Sequence, residues 1–365
     1  LDALARSHRE LPGNPSSLHA EGREARIALE AARASVARMI GAAHPDEVVF
    51  CGSGTESDNL AVLGIARAAA AEGRVRRVVV STFEHPAVLG PAALLADEGF
   101  DVAYVTPTAD GVVTPDALAE AVADGAAVVS VMHANNEIGT LQDIEALAEV
   151  AHRAGAYFHA DCAQSVGKVH LDAHASAVDA VSFAGHKVYA PKGIGVLYLR
   201  ADTPFRAPER GGGQEGGRRS GTPDVAGAAA LAEALRLMDA ERAEETVRLG
   251  ALRDRIEDKL LARMPPVTVH GAAAPRLPQL SCMGFGGADA HGIMLHLDEA
   301  GFAVSTGSAC SSSGGSISHV LSAIGADEES ARGTIRVSLG RMTQSNDTDR
   351  FIEALAAIVA RLRSR

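Results

Sequence analysis

Short β-branched runs alternate with alanine-rich stretches up to residue 199, and that alternation narrows the folds open to this chain. Glu47–Phe50, Arg77–Val80, Val102–Val105, Ala127–Met132, Tyr157–Ala160, Val178–Phe183 and Gly195–Leu199 read as strands. Glu21–Ile40, Ser57–Ala71, Pro86–Glu98, Pro115–Ala123 and Ile144–Ala154 read as the helices between them. Apolar strands interleaved with helices predict an α/β unit, a mostly parallel sheet covered on both faces. Cap chemistry supports the helix starts, as at Thr114-Pro115, where a hydroxyl precedes a first-turn proline.

The Gly/Arg-rich stretch Arg210–Thr222 breaks this rhythm, and a long helical region over Val225–Met264 follows it. Beyond it, fewer strands (Val267–His270, Gln279–Met283, Phe302–Ser305, Thr334–Leu339) sit among helices near Ala288–Ala300 and Asp347–Arg363, a smaller α+β arrangement. A Ser/Gly run, Ser305–Ser318, interrupts it and carries Cys310; its low side-chain bulk predicts a mobile loop.

At 365 residues the chain is long enough for two domains. Its net charge of −12 argues against general nucleic-acid binding, which needs a basic footprint. No run of about 18 apolar residues is present, so no membrane span is expected. The first residues lack a signal-peptide layout and read as mid-helix, so the natural N-terminus is expected upstream and the location cytoplasmic. Cys51, Cys162, Cys282 and Cys310 show no metal-binding spacing, which argues against a zinc site or a disulfide framework.

Several strand ends carry chemistry. Ser182-Phe183-Ala184-Gly185-His186-Lys187 delivers a lysine at the end of an apolar strand, where desolvation should lower its pKa and favour a neutral amine. Such an amine forms Schiff bases with carbonyls, the anchor pyridoxal phosphate (PLP) needs. Gly52-Ser53-Gly54-Thr55 leaves a strand and opens a helix, a seat for a phosphate, with His186 and Thr222 as further donors. Asp161 ends the strand Tyr157–Ala160, where a carboxylate can keep a pyridine nitrogen protonated, and Gln164 is three residues on. His85 follows Val78–Thr82 and offers a flat ring and exchangeable protons. Asn136 follows Ala127–Met132. Four strand ends (His85, Asn136, Asp161, Lys187) are thus expected at one sheet edge, with Arg336 as a clamp for a substrate carboxylate. Taken singly, each has a bland reading: a surface lysine, a helix cap, a strand-face arginine.

Together they resemble a known family. Gly13-Asn14-Pro15-Ser16-Ser17, Gly54-Thr55-Glu56-Ser57-Asp58-Asn59, Glu84-His85, Asn135-Asn136-Glu137-Ile138-Gly139, Ser182–Lys187, Arg219-Ser220-Gly221-Thr222 and Ser305-Thr306-Gly307-Ser308-Ala309-Cys310 resemble the cysteine desulfurases of the NifS/IscS type. These are fold type I PLP enzymes of the class V aminotransferase group. The resemblance runs in family order from about residue 13 to 341.

It implies a homodimer whose protomer has a PLP domain, residues 11–240, with a seven-stranded sheet, and a small domain, 241–365 with 1–10. It implies Lys187 as the Schiff-base lysine, Asp161 as the ring-nitrogen partner, Gln164 on the ring oxygen and His85 stacked on the ring. Gly54, Thr55 and His186 would hold the phosphate, with Thr222 reaching the neighbouring subunit's cofactor. Asn14, Asn136 and Arg336 would orient L-cysteine, and Asn136 would also bind the cofactor. Cys310 would accept its sulfur as a persulfide, releasing L-alanine, and pass it to an acceptor protein in iron–sulfur assembly or thiolation. No resident metal is implied, though Cys310 could ligate a cluster transiently. Ala184 departs from the family's serine, which implies weaker PLP retention. The segment that normally precedes the Gly-Asn-Pro motif and the long C-terminal tail of housekeeping members are both absent. A selenocysteine lyase, another class V PLP enzyme and a non-catalytic sulfur-relay platform are the competing readings. Cys51, Cys162 and Cys282 read as core filler.

Overall fold

The computed structural model describes residues 1–306 and 317–364, which fall into two compact units. The larger comprises 1–105, 114–133 and 142–242; the smaller, 106–113, 134–141 and 243–365.

The large unit is built on the seven expected strands: β1 (Val48–Cys51), β2 (Arg77–Ser81), β3 (Asp101–Val105), β4 (Val128–Ser130), β5 (Tyr157–Asp161), β6 (Ala180–Ala184) and β7 (Gly195–Leu199). Their order is β1-β7-β6-β5-β4-β2-β3. Pairs from β3 through β6 are parallel, and β7 runs antiparallel to both β6 and β1. Every residue of β1, β6 and β7 is buried, as expected of strands covered on both faces. Around them lie α1 (Asp2–Glu10), α2 (Ala20–Met39), α3 (Gly54–Ala71), α4 (Pro86–Asp97), α5 (Pro115–Ala121) and α6 (Ile144–Arg153).

Strand periodicity fixes what each face carries. Leu60, Ala61 and Ile65 of α3 and Val88, Ala92 and Leu95 of α4 share a core with Val78, Val80, Val128, Ala180 and Leu197 of the sheet. Side chains two residues apart share a face. Ser130, His159, Asp161, Ser182 and Ala184 therefore lie on this α3 side, towards the ends of their strands.

The helix α7 (Val225–Arg263) begins in the large unit and ends in the small one. The small unit holds an antiparallel sheet ordered β10-β11-β9-β8: β8 (Val267–Val269), β9 (Leu280–Phe285), β10 (Ser305–Thr306) and β11 (Thr334–Ser338). It also contains α8 (Ala290–Glu299), α9 (His319–Ala323), α10 (Glu328–Arg332) and α11 (Ser345–Arg363). Its core joins Ile256 and Leu260 of α7 to Phe285, Ile293, Ile335, Phe351 and Leu355.

Residues 1–10 cluster with the large unit, where Arg6 lies near Glu233. Segments 106–113 and 134–141 cluster with the small one. The second segment turns back on itself: Asn135 N donates to Thr140 O, Leu141 N to Pro275 O and Leu277 N to Gly139 O. Thr140 Oγ1 then binds Gly111 O at 2.8 Å, bringing in the first.

Candidate active site

Strands β1, β2, β4, β5 and β6 all run the same way, so their following turns meet at one edge of the large sheet. In open α/β sheets that edge is where ligands bind.

From β1 the chain enters α3 through Gly52 and Ser53. Ser53 Oγ accepts from Glu56 N at 3.0 Å, and Ser57 N reaches Ser53 O. The N–H groups of Gly54 and Thr55 have no acceptor within a helix start, and the helix dipole makes that end positive. Close packing holds this turn. A Cβ on Gly54 would lie 3.0 Å from Ala184 Cβ; one on Gly195 would run into the Ser53 carbonyl and come within 2.9 Å of Gly54 N. Arg219 binds Glu56 at 2.7 Å, which leads to exposed Thr222.

Asp161, the last residue of β5, is 5% exposed, and its Oδ1 accepts from Ala163 N at 2.8 Å. Burial pushes its carboxyl up to about 6, while the Ala163 N–H and the Lys187 cation pull it down. Lys187 stands on a 3₁₀ turn, Gly185–Val188, closed by Tyr189 at φ 63°. Its residue is exposed: β6 ends at Ala184, and the turn lifts the lysine onto the rim.

A second lysine, not singled out from sequence, lies nearby. Half-buried Lys168 donates to Gln164 O at 3.0 Å, and burial, then the Lys187 charge, push it down to about 7. Its signal was the Gln164-to-Lys168 spacing of one helical turn. His186 is likewise lowered by burial, then by Lys187, Lys192 and Lys168. His85 caps α4, its Nδ1 accepting from Ala87 N at 3.1 Å before Pro86. With Thr55, Asn59 and Gly90 it lines a cleft of about 280 Å³.

Thus His85, Asp161, Lys187 and the α3 start share one unit and one sheet edge. Asn136 lies six residues beyond β4, in the turned-back segment that clusters with the small unit. It meets Arg336, whose Nη1 donates to Asn136 O at 2.8 Å. Asn136 Oδ1 and Arg336 Nε are buried without a hydrogen-bond partner among the described residues, the state of groups awaiting a ligand. Asn14 is exposed in the large unit, its Oδ1 accepting from Ser16 N at 2.9 Å. Cys310 lies outside the described residues. Cys51, Cys162 and Cys282 are buried thiols, and burial raises the pKa of each.

Sequence reasoning also missed a buried polar layer behind Asp161. His159 Nδ1 meets Ser130 Oγ at 2.8 Å, its Nε2 meets Ser182 Oγ at 2.9 Å, and Asp58 Oδ1 lies 3.7 Å from Nε2. Glu84 accepts from Met132 N at 2.7 Å and from Ser81 Oγ; burial pushes its carboxyl up to about 8. The available signal was polar residues at every second position of otherwise apolar strands. Among the described residues no group of His, Cys, Asp and Glu could hold a metal ion, and no helix is long and apolar enough to cross a membrane.

The sequence matches the family described as aminotransferase class-V over residues 1–351. It is 44% identical to the IscS-like cysteine desulfurase of Mycobacterium tuberculosis, over all of this chain and 93% of that protein. It is 43% identical to the cysteine desulfurase NifS of Azotobacter vinelandii, over 96% of this chain and 87% of that protein. A solved NifS-like protein superposes with a TM-score of 0.89 at 32% identity, covering 98% of this chain and 94% of its own.

Proposed function

Because the chain belongs to the aminotransferase class-V family and is a cysteine desulfurase of the NifS/IscS type, we propose that its large unit holds pyridoxal 5′-phosphate and that desulfuration runs through Lys187, Asp161, His85 and Cys310. The donor set suits that cofactor. The α3 start with Gly54 and Thr55, helped by His186, offers N–H groups and positive charge to a phosphate. Lys187 offers an amine to an aldehyde. Asp161 offers a buried carboxylate to a ring nitrogen, and Gln164 an amide to the ring oxygen.

The observation that carries this reading is the placement of buried Asp161 at the end of β5 and of Lys187 just past the end of neighbouring β6, beside a helix start packed against Ala184. When bound, the cofactor supplies an electron sink for charge developing at the substrate Cα. Asp161 would hold a proton at the ring nitrogen, and the Lys187 amine would take the α-proton of the substrate. Arg336 and Asn136 bind the L-cysteine carboxylate, with Asn14 assisting. Cys310, as thiolate, attacks the substrate sulfur: an S–S bond forms, the Cβ–S bond breaks, and a proton completes the methyl group of L-alanine. Cysteine plus enzyme thiol thus becomes alanine plus enzyme persulfide, which an acceptor protein then takes. We also place the protein as a homodimer in which Thr222 reaches the neighbouring site, a state that light scattering reads directly.

Purified, PLP-loaded protein given L-cysteine and a thiol reductant should release alanine and sulfide in equal amounts. Lys187→Ala should abolish both products and the visible absorbance of the bound cofactor. Cys310→Ala should abolish sulfide from cysteine. Equal turnover of cysteine by Cys310→Ala and the parent would overturn the assignment of the sulfur acceptor.

A further inference from the structure

The buried layer behind Asp161 contains a second carboxyl that the reaction above does not use. Asp58, in the first turns of α3, is 3% exposed, and its Oδ1 has no hydrogen-bond partner among the described residues. The groups facing it are His159 and Asp161 of β5, Ser182 of β6 and Glu84 before α4. None is a cation. Burial pushes His159 down to about 3, so it stays neutral, and both its ring nitrogens are occupied by serine hydroxyls. A carboxylate with an orphaned oxygen, no cation and two acidic neighbours is among the costliest groups a core can hold.

We propose that Asp58 persists as a neutral carboxylic acid beside Ser182, which leaves Asp161 as the ionised carboxylate of this pair. Ser182 is the joint, since it lies opposite Asp161 in the β5–β6 register and its Oγ also meets His159 Nε2 at 2.9 Å. Asp161 differs from Asp58 in two respects: it accepts a backbone N–H, and it feels the Lys187 cation. Burial followed by the charges of Asp161 and Glu84 raises Asp58 well above the ordinary carboxylate range, with Ser182 opposing. Of two interacting acids, the one that ionises first is unaffected by a neutral neighbour, whereas the second is held back by the charge already present. The coupling between these two should therefore look one-sided.

This inference rests on reading Asp161 as the ring-nitrogen partner, and its test is separable from that reading. The full chain, without added cofactor, is labelled with carboxyl-¹³C aspartate and titrated by NMR, with Asp58→Asn and Asp161→Asn assigning the two resonances. Asp58 should resonate as a neutral acid at pH 7. Asp58→Asn should move the Asp161 midpoint by less than about half a pH unit, and Asp161→Asn should lower that of Asp58 by more than this. An ionised Asp58 at pH 7, or an Asp161 midpoint displaced by about half a unit or more in Asp58→Asn, would overturn the proposal. Failure of the ring-nitrogen reading would show elsewhere, as a cofactor spectrum in loaded Asp161→Asn identical to the parent's.

Discussion

At the scale of single residues, the buried acids set how stability responds to pH. Glu84 has its pKa raised to about 8 by burial, so the folded chain binds a proton that the unfolded chain gives up near the ordinary carboxylate value. The stability this proton contributes is full below that ordinary value and is lost as pH rises through 8. Thermal unfolding of the cofactor-free chain should show a melting temperature that falls between about pH 5 and pH 8. Glu84→Gln, which mimics the neutral acid, should flatten that fall and be more stable at the alkaline end by ~1 kcal/mol or more. Equal slopes for the two proteins would refute it. His85 allows a cleaner separation of roles. With Nδ1 accepting from Ala87 N, the neutral ring carries its proton on Nε2, so it arrives as a donor. His85→Asn keeps a capping side chain and should leave the melting temperature nearly unchanged while kcat drops on the order of 10²–10⁴-fold.

At the scale of elements, the start of α3 depends on a glycine far along the chain, Gly195 of β7. Gly195→Ala puts a methyl against the Ser53 carbonyl, backbone against backbone, and should cost about 1–3 kcal/mol. Because that clash displaces the anion seat, cofactor dissociation should accelerate more than stability alone predicts; a variant with reduced stability but unchanged cofactor retention would count against this. Most of these elements were legible in the chain. All seven large-sheet strands lie within a few residues of their expected positions, because β-branched runs and capped helix starts act locally. The antiparallel sense of β7 was not legible, since a buried strand reads alike in either direction. Nor were α9 and α10, each five residues long and too short to show helical periodicity. The setting of Lys187 was not legible for a related reason: pattern shows where a strand runs, and the 3₁₀ turn that carries the lysine follows it.

At the scale of the whole molecule, each unit has its own hydrophobic core, so unfolding need not be a single transition. Leu355, fully buried in the small unit beside the edge-to-face pair Phe302–Phe351, is a handle on one core alone. Leu355→Ala should cost about 2–5 kcal/mol in a calorimetric transition that leaves cofactor absorbance in place. Loss of both signals at one temperature would show a single cooperative block. The candidate site residues were read from motifs at strand ends, and the grouping of Asn136 with Arg336 was not legible, because it depends on contacts of that segment with residues 275–277, far along the chain. Sheet order has a further consequence. Among the described residues β1 pairs only with β7, whose residues come about 150 positions later, and the Gly54 turn hangs from β1. A ribosome-bound chain ending before residue 195 would own the phosphate loop yet lack the strand that seats it, so vitamin capture belongs to the late, high-contact-order stage of folding.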